Sequence, residues 1–510
     1  MPESIMHWRT ILSGLLCLTV SAEANQPSGR FVQFSRQAKG SAGAVQIKAA
    51  TYFGGADNEA FSSAAFLPDG SILAAVQIRS SSRRDIVLGQ DAETAATTDT
   101  GALVHYDSVL RNVLATVRLP WDAGSINQTI SGDKSVYIAG RTGPRIRSLL
   151  DATKQVVSVG KEDAANAFVA ALTPDLKTVS WVTLFEQRNL HIDRSNDDRL
   201  WVESGRSVWI LDADGAVSPG PELDARVKWR ARTPVATDPR DGSFYIGGEY
   251  HSSTGLEPWR CPLLHKFDRN GKIIWTAWNW TGPIVGAEPY RLVSDSAVRQ
   301  VKVGAGGDIL VGGWSDGGNS VFLHQPYDLT QRRPASKFGD SVWGAGVLSV
   351  AHIMRLDRET MELKGGTTWL TYHAYVNKPN SARLRDLEQL SDGRVVFTGG
   401  ASYGLIETPD AWVPAWSKEY AENPETARVK GGPFFAMLSP DFSELLFSSV
   451  VPGLREQKLK AKGRSVLIYG AAESLEYAYE MYEPNRHVHP VQKTIGGGPT
   501  DAYIMLIDGG

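Results

Sequence analysis

Cysteine is nearly absent: the 510 residues contain two, Cys17 and Cys261. Cys17 lies inside an amino-terminal apolar run expected to be removed, so no internal disulfide can form and stability must come from packing. Cys261 has no Cys-His motif around it and reads as a small core residue. Long apolar runs are also missing. The run from Ile11 to Val20 is ten residues, and no stretch reaches the roughly 18 that a membrane-crossing helix needs. Neither charge sign dominates: 53 Lys and Arg against 56 Asp and Glu give a formal −3, which supplies no global field for nucleic acid or an anionic membrane. Serine-hydrolase elbow, zincin, Walker and dinucleotide fingerprints are lacking. The charged and apolar fractions, 21% and 42%, exclude a disordered chain.

The first 24 residues have the features of a signal peptide: Arg9, the apolar run, then Ser21-Ala22-Glu23-Ala24 with its Ala-x-Ala cleavage pattern. Gly14-Leu15-Leu16 lacks the small residue that a lipoprotein signal places before its cysteine, so export without a lipid is expected, to periplasm, cell surface or medium. Residues 25–46, rich in Gly, Ser and Gln, read as a flexible leader, and the folded domain is expected over 47–510.

Within that domain one pattern recurs: a short apolar strand, a turn with Asp and Gly, and a second strand ending in Gly. Its copies are 64–76, 128–140, 191–205, 235–248, 301–313, 387–400 and an eroded 463–470. A second hairpin alternates with it, clearest at 166–185, 262–278 and 434–451, weaker at 102–119, 207–217 and 351–372, and reduced to one strand at 501–508. Four strands per unit and roughly 66 residues per unit predict an all-β chain forming a single β-propeller of seven four-stranded blades. The last unit lacks an outer strand, whereas IKAATYFGG at 47–55 has that pattern and no hairpin before it. The N-terminal strand is therefore expected to complete the C-terminal blade and close the ring.

TYFGG at 51–55, AAFLPDGSILAAVQ, and NAFVAALTPDLKTVSWVTLF resemble the bacterial SBBP β-propeller repeat, in diluted form over about 51–510. The resemblance implies an exported, propeller-shaped protein and carries no catalytic motif. WD40 pairs and the tryptophan-docking motif of quinone-dependent dehydrogenases do not recur.

In such a meander the linkers between second and third strands open on the same face as those between blades. The former are long at 78–101, 143–165, 249–261, 315–347, 403–431 and 473–500, and tight only at Gly205-Arg206. Loops beyond about 12 to 15 residues are usually functional or disordered, and because six of the seven lie on one face, that face is expected to bind. Its candidate ligand-binding residues are Tyr250, His251, Trp314, Trp343, Tyr403, Trp412, Trp416, His487 and His489, with Trp259, Tyr477, Tyr479 and Tyr482 nearby. The competing reading makes these aromatics the small cores of large loops. His487-Val-His489 has metal-ligand spacing but no third ligand, and Asp212-Ala-Asp-Gly215 and Asp268-Arg-Asn-Gly271 lack the Glu of a calcium loop; no metal or cofactor is expected.

The favoured function is a monomeric binding or scaffold module for an extracellular carbohydrate or protein, with no nucleic acid. The alternative is a polymer-degrading hydrolase or lyase at the channel mouth, where Glu59, His191, Glu288 and Arg385 stand near the linkers between blades.

Overall fold

The computed structural model describes residues 45–510 except 55–57, 80–99, 120–122, 143–155, 160–164, 205–206, 224–226, 229–234, 252–259, 279–294, 317–320, 333–347, 374–377, 403, 413–431, 452–453 and 474–499. Among the described residues the regular structure is β, with one short 3-10 turn at Val321–Leu323.

The strands form antiparallel meanders in chain order. Sheet 1 is Asn58–Phe66, Ile72–Arg79, Thr100–Tyr106 and Val113–Arg118; sheet 2 is Ala123–Ser131, Val136–Thr142, Ala167–Leu172 and Val179–Phe185. Sheet 3 is His191–Arg194, Leu200–Ser204, Ser207–Leu211 and Val217–Glu222; sheet 4 is Val235–Thr237, Phe244–His251, Arg260–Phe267 and Ile273–Ala277. Sheet 5 is Ser296–Val303, Ile309–Asp316, Ser349–Leu356 and Leu363–Trp369; sheet 6 is Ala382–Gln389, Val395–Ala401, Gly432–Leu438 and Leu445–Val450. Sheet 7 is Leu454–Lys462, Ser465–Glu473 and Thr500–Asp508, with Gln46–Phe53 pairing antiparallel with Thr500–Asp508 from Gln46↔Asp508 to Phe53↔Ala502; a parallel bridge, Asn58↔Thr500, joins it to sheet 1 in one eight-stranded sheet.

The core lies between successive sheets. Leu73 and Leu103 of sheet 1 pack on Ile138 and Phe168 of sheet 2, and Val311 and Met354 of sheet 5 pack on Tyr245 and Leu264 of sheet 4. Leu467 and Ile504 of sheet 7 pack on Ala74 and Val104 of sheet 1. A central strand is thus covered on both faces, which explains why Ala167–Leu172 is buried throughout and reads as a continuous apolar run instead of alternating. Four-stranded meanders stacked face to face in chain order define a β-propeller.

Many of the short turns place a residue in the left-handed region. Gly70 (φ 88°), Gly215 (84°), Gly271 (85°) and Gly393 (88°) meet the sequence expectation. Elsewhere Leu110, Leu176 and Phe442 take positive φ, at 55°, 62° and 59°, and each is buried, so burial of a large side chain offsets the backbone strain.

Three features depart from the sequence reading. The 463–470 hairpin is not eroded: its strands run nine residues each, Leu454–Lys462 and Ser465–Glu473, around Gly463 at φ 63°. Its first strand, LREQKLKAK, was hidden because lysines alternate along one side. The 143–165 linker contributes Val156–Val159, which adds parallel to the outer strand of sheet 2. The 315–347 linker sends Val321, Phe322 and Leu329 into the core between sheets 4 and 5, as the loop-core reading has it.

Candidate functional site

Two of the glycines that end second strands, Gly140 and Gly399, have a steric cause within their own hairpins. In sheets 1, 2, 5, 6 and 7 the first strand is bulged at mid-length: between Phe61 and Ser63, Ile126 and Gln128, Val298 and Gln300, Leu384 and Asp386, and Arg455 and Lys458. The bulge swings first-strand carbonyls over the second strand. A Cβ on Gly140 would lie 2.0 Å from Ser125 O, and one on Gly399 1.9 Å from Arg383 O, so no other residue fits. Bulges also re-aim side chains. Ser62 and Asn127, both at bulges, line an open cleft of about 720 Å³.

This cleft opens where the long linkers leave, among the first strands of sheets 7, 1, 2 and 3. Glu59, Gln77, Asn127, Gln128, Arg141, Asn189, His191, Arg455 and Lys458 line it with Asn58 and Thr500. Gln128 is fixed by the next sheet, its Oε1 accepting from Ile192 N at 2.7 Å. Arg141 Nη2 donates to Asn189 Oδ1 at 2.8 Å, and Lys458 Nζ to Ser62 O at 2.7 Å. Gln77 and Asn127 are half-buried, and their amides have no hydrogen-bond partner among the described residues. Glu59 is 1% exposed and converges with Asp501 on Gly54, where a Cβ would lie 2.8 Å from Glu59 Oε2 and 2.7 Å from Asp501 Oδ1.

Buried ionisable groups sit on strands beyond the lining of the cleft. Glu203, in the second strand of sheet 3, stands opposite His191 in register, and burial pushes its carboxyl up to about 8. On the first strand of sheet 5, Lys302 meets Glu388 at 3.1 Å and Asp386 at 3.5 Å on the first strand of sheet 6; burial opposes its charge, but these two carboxylates outweigh it and raise its pKa. Burial raises Asp193, even though its Oδ2 accepts from Thr237 N at 2.6 Å.

The sequence-predicted residues divide. Trp412 is 8% exposed, stacks on Phe435 with centroids 5.5 Å apart, packs on Phe447, and donates Nε1 to Val45 O at 3.4 Å. It is a core residue, drawn in because the linker folds back on sheet 6, with Thr408 N bonded to Ser448 O. Trp314 is half-buried, donates Nε1 to Ser349 Oγ at 2.8 Å, and lies 5.4 Å below the Arg299 guanidinium, which also reaches Glu249 at 3.2 Å. Tyr250 is half-buried against two core clusters and hydrogen-bonds Cys261, whose thiol burial pushes up to about 12. His251 ends its strand opposite Arg260. Trp343, Tyr403, Trp416, His487, His489, Trp259, Tyr477, Tyr479, Tyr482 and Glu288 lie outside the described residues. Glu59 and His191 do come together in the cleft; Arg385 is exposed on sheet 6, at a bulge, its carbonyl accepting from Gln300 Nε2 at 2.7 Å. Asn127, Gln128, Arg141, Arg455 and Lys458 escaped the sequence reading; the glycine that closes the second strand was the signal for the bulge that aims the first of them. No group of three or more metal-binding side chains occurs among the described residues.

No family model matches the chain, and no curated protein does. Among solved structures, the β-propeller domain of Cps50 (Swd1) from Myceliophteria thermophila is similar at 9% identity over 91% of this chain and 99% of that one, with a TM-score of 0.43. A protein of unknown function from Dyadobacter fermentans shares 12% identity over 92% and 100%, at 0.40. BamB from Moraxella catarrhalis shares 11% over 91% and 99%, at 0.37.

Proposed function

We propose that this protein is an exported binding module, a diverged relative of the SBBP-repeat propellers, whose seven sheets form one closed ring and whose long-linker face carries the ligand. The closed ring is supported by the first strands, which contact one another in succession from sheet 1 to sheet 7, while Leu454–Lys462 also contacts Asn58–Phe66. Lys458 Nζ to Ser62 O and Lys462 Nζ to Leu67 O, both 2.7 Å, stitch that seam.

The observation that carries the binding reading is the polar cleft built by four sheets, with Gln77 and Asn127 among its lining residues. Such convergent, pre-positioned polar groups are what a ligand site requires. The Glu59–Asp501 convergence favours a second reading, glycosidic acid–base chemistry. That chemistry needs two carboxylates on the substrate, whereas Asp501 is fully buried and is not a lining residue of the cleft. Binding is therefore the better account.

The test is a thermal-shift survey of the full chain against soluble polysaccharides, with reducing and unsaturated ends assayed in the same wells. A raised melting temperature without new ends supports a binding module. New ends overturn it in favour of an enzyme, and no shift with any glycan moves the assignment to a protein partner. Cell fractionation with N-terminal sequencing checks export, with Asn25 expected as the first residue.

A further inference from the structure

Resting on the binding reading above, we infer that the cleft takes an acidic polysaccharide, its carboxylates held by cationic side chains and its hydroxyls by side-chain amides. The cleft places Arg141 on sheet 2 and Arg455 and Lys458 on sheet 7, on either side of the first strand of sheet 1. All three are exposed. Among the described lining residues these three cations stand against one carboxylate, Glu59, although the chain as a whole carries −3.

Arg141 spends one bond on Asn189, at 2.8 Å, and a guanidinium has five N–H donors. That leaves a planar fork of the kind that grips a carboxylate in two places. Between the cations, the half-buried Gln77 and Asn127 amides supply both donors and acceptors for hydroxyls. Neutral sugars are commonly held by stacking on a flat ring. The aromatic ring that lines this cleft among the described residues is Phe61, 2% exposed and so not open for stacking. Charge and amide contacts are what the described lining offers a ligand.

The experiment is calorimetric titration of the full chain with oligogalacturonate and with its fully methyl-esterified form, repeated with Arg141→Gln and with poly-glutamate. The acid form should bind at least roughly tenfold more tightly than the ester, and Arg141→Gln should remove roughly tenfold from the acid form and leave the ester unchanged, as expected for one charge-assisted contact. Affinity for the acid form should also fall steeply with added salt. An unchanged melting temperature of Arg141→Gln separates lost contact from lost fold. Equal binding of acid and ester overturns the charge inference but leaves the binding reading standing. Tighter binding of poly-glutamate than of the oligouronate overturns it in favour of an acidic protein partner. Binding of neither sugar form nor poly-glutamate overturns this inference and removes the cleft from the binding reading as well.

Discussion

The contribution of Glu203 to stability falls as pH rises. It is 1% exposed, and its Oε2 has no hydrogen-bond partner among the described residues. Burial pushes its carboxyl from an ordinary 4.5 up to about 8. Between those two values the unfolded chain has released a proton that the folded chain keeps. The folded state binds more protons there, so this contribution is highest below 4.5, declines through the window and levels off above 8. Integrated from about pH 5 to about pH 8, the decline is about 3 kcal/mol. Glu203→Gln keeps the shape and cannot ionise. Its own burial cost is independent of pH and cancels when two pH values are compared. Urea unfolding of both proteins at the two pH values should therefore show the variant gaining about 3 kcal/mol on the parent at the higher pH. A gap that stays constant across that range would refute the reasoning, because it would mean that Glu203 is solvated or paired in the folded protein.

Three more outcomes follow from the packing. Leu176→Gly should be more stable than Leu176→Ala by about 1 kcal/mol in paired urea melts, reversing the usual order, because position 176 sits at φ 62°. Arg358 links Asp238 and Asp241, in the turn of sheet 4, from the turn of sheet 5, and Asp238 is fully buried. Arg358→Ala should cost about 2 kcal/mol, below the full cost of breaking a buried pair because Arg240 still holds Asp238 at 2.8 Å; calorimetric unfolding checks it. Trp412→Ala should cost about 3 to 5 kcal/mol by the same assay and leave glycan affinity unchanged, the opposite of what an exposed loop aromatic would do.

The sequence carried the hairpins well because a turn of Asp and Gly between apolar strands is a local signal. The Gln46–Phe53 pairing with Thr500–Asp508 was legible for a topological reason: one unit lacked an outer strand and another segment had one to spare. The first strand of sheet 7 was not legible, since Lys458 and Lys462 reach the backbone of sheet 1, and in one dimension a lysine-rich alternation looks like solvated surface. Trp412 misled for the converse reason. A tryptophan in a long linker looks exposed until the linker folds back on its own sheet, and nothing in its neighbours states that it does.

By itself, then, the amino-acid order determined the strand succession, the turn residues and the glycines that end two of the second strands, Gly140 and Gly399, because each answers to backbone sterics within a hairpin. The cleft was decided only by tertiary structure. Glu59, Gln128, Arg141, His191 and Arg455 are scattered over some 400 residues of chain. They meet because the first strands of four sheets pack side by side and bulges re-aim their side chains, and that proximity has no counterpart in sequence spacing.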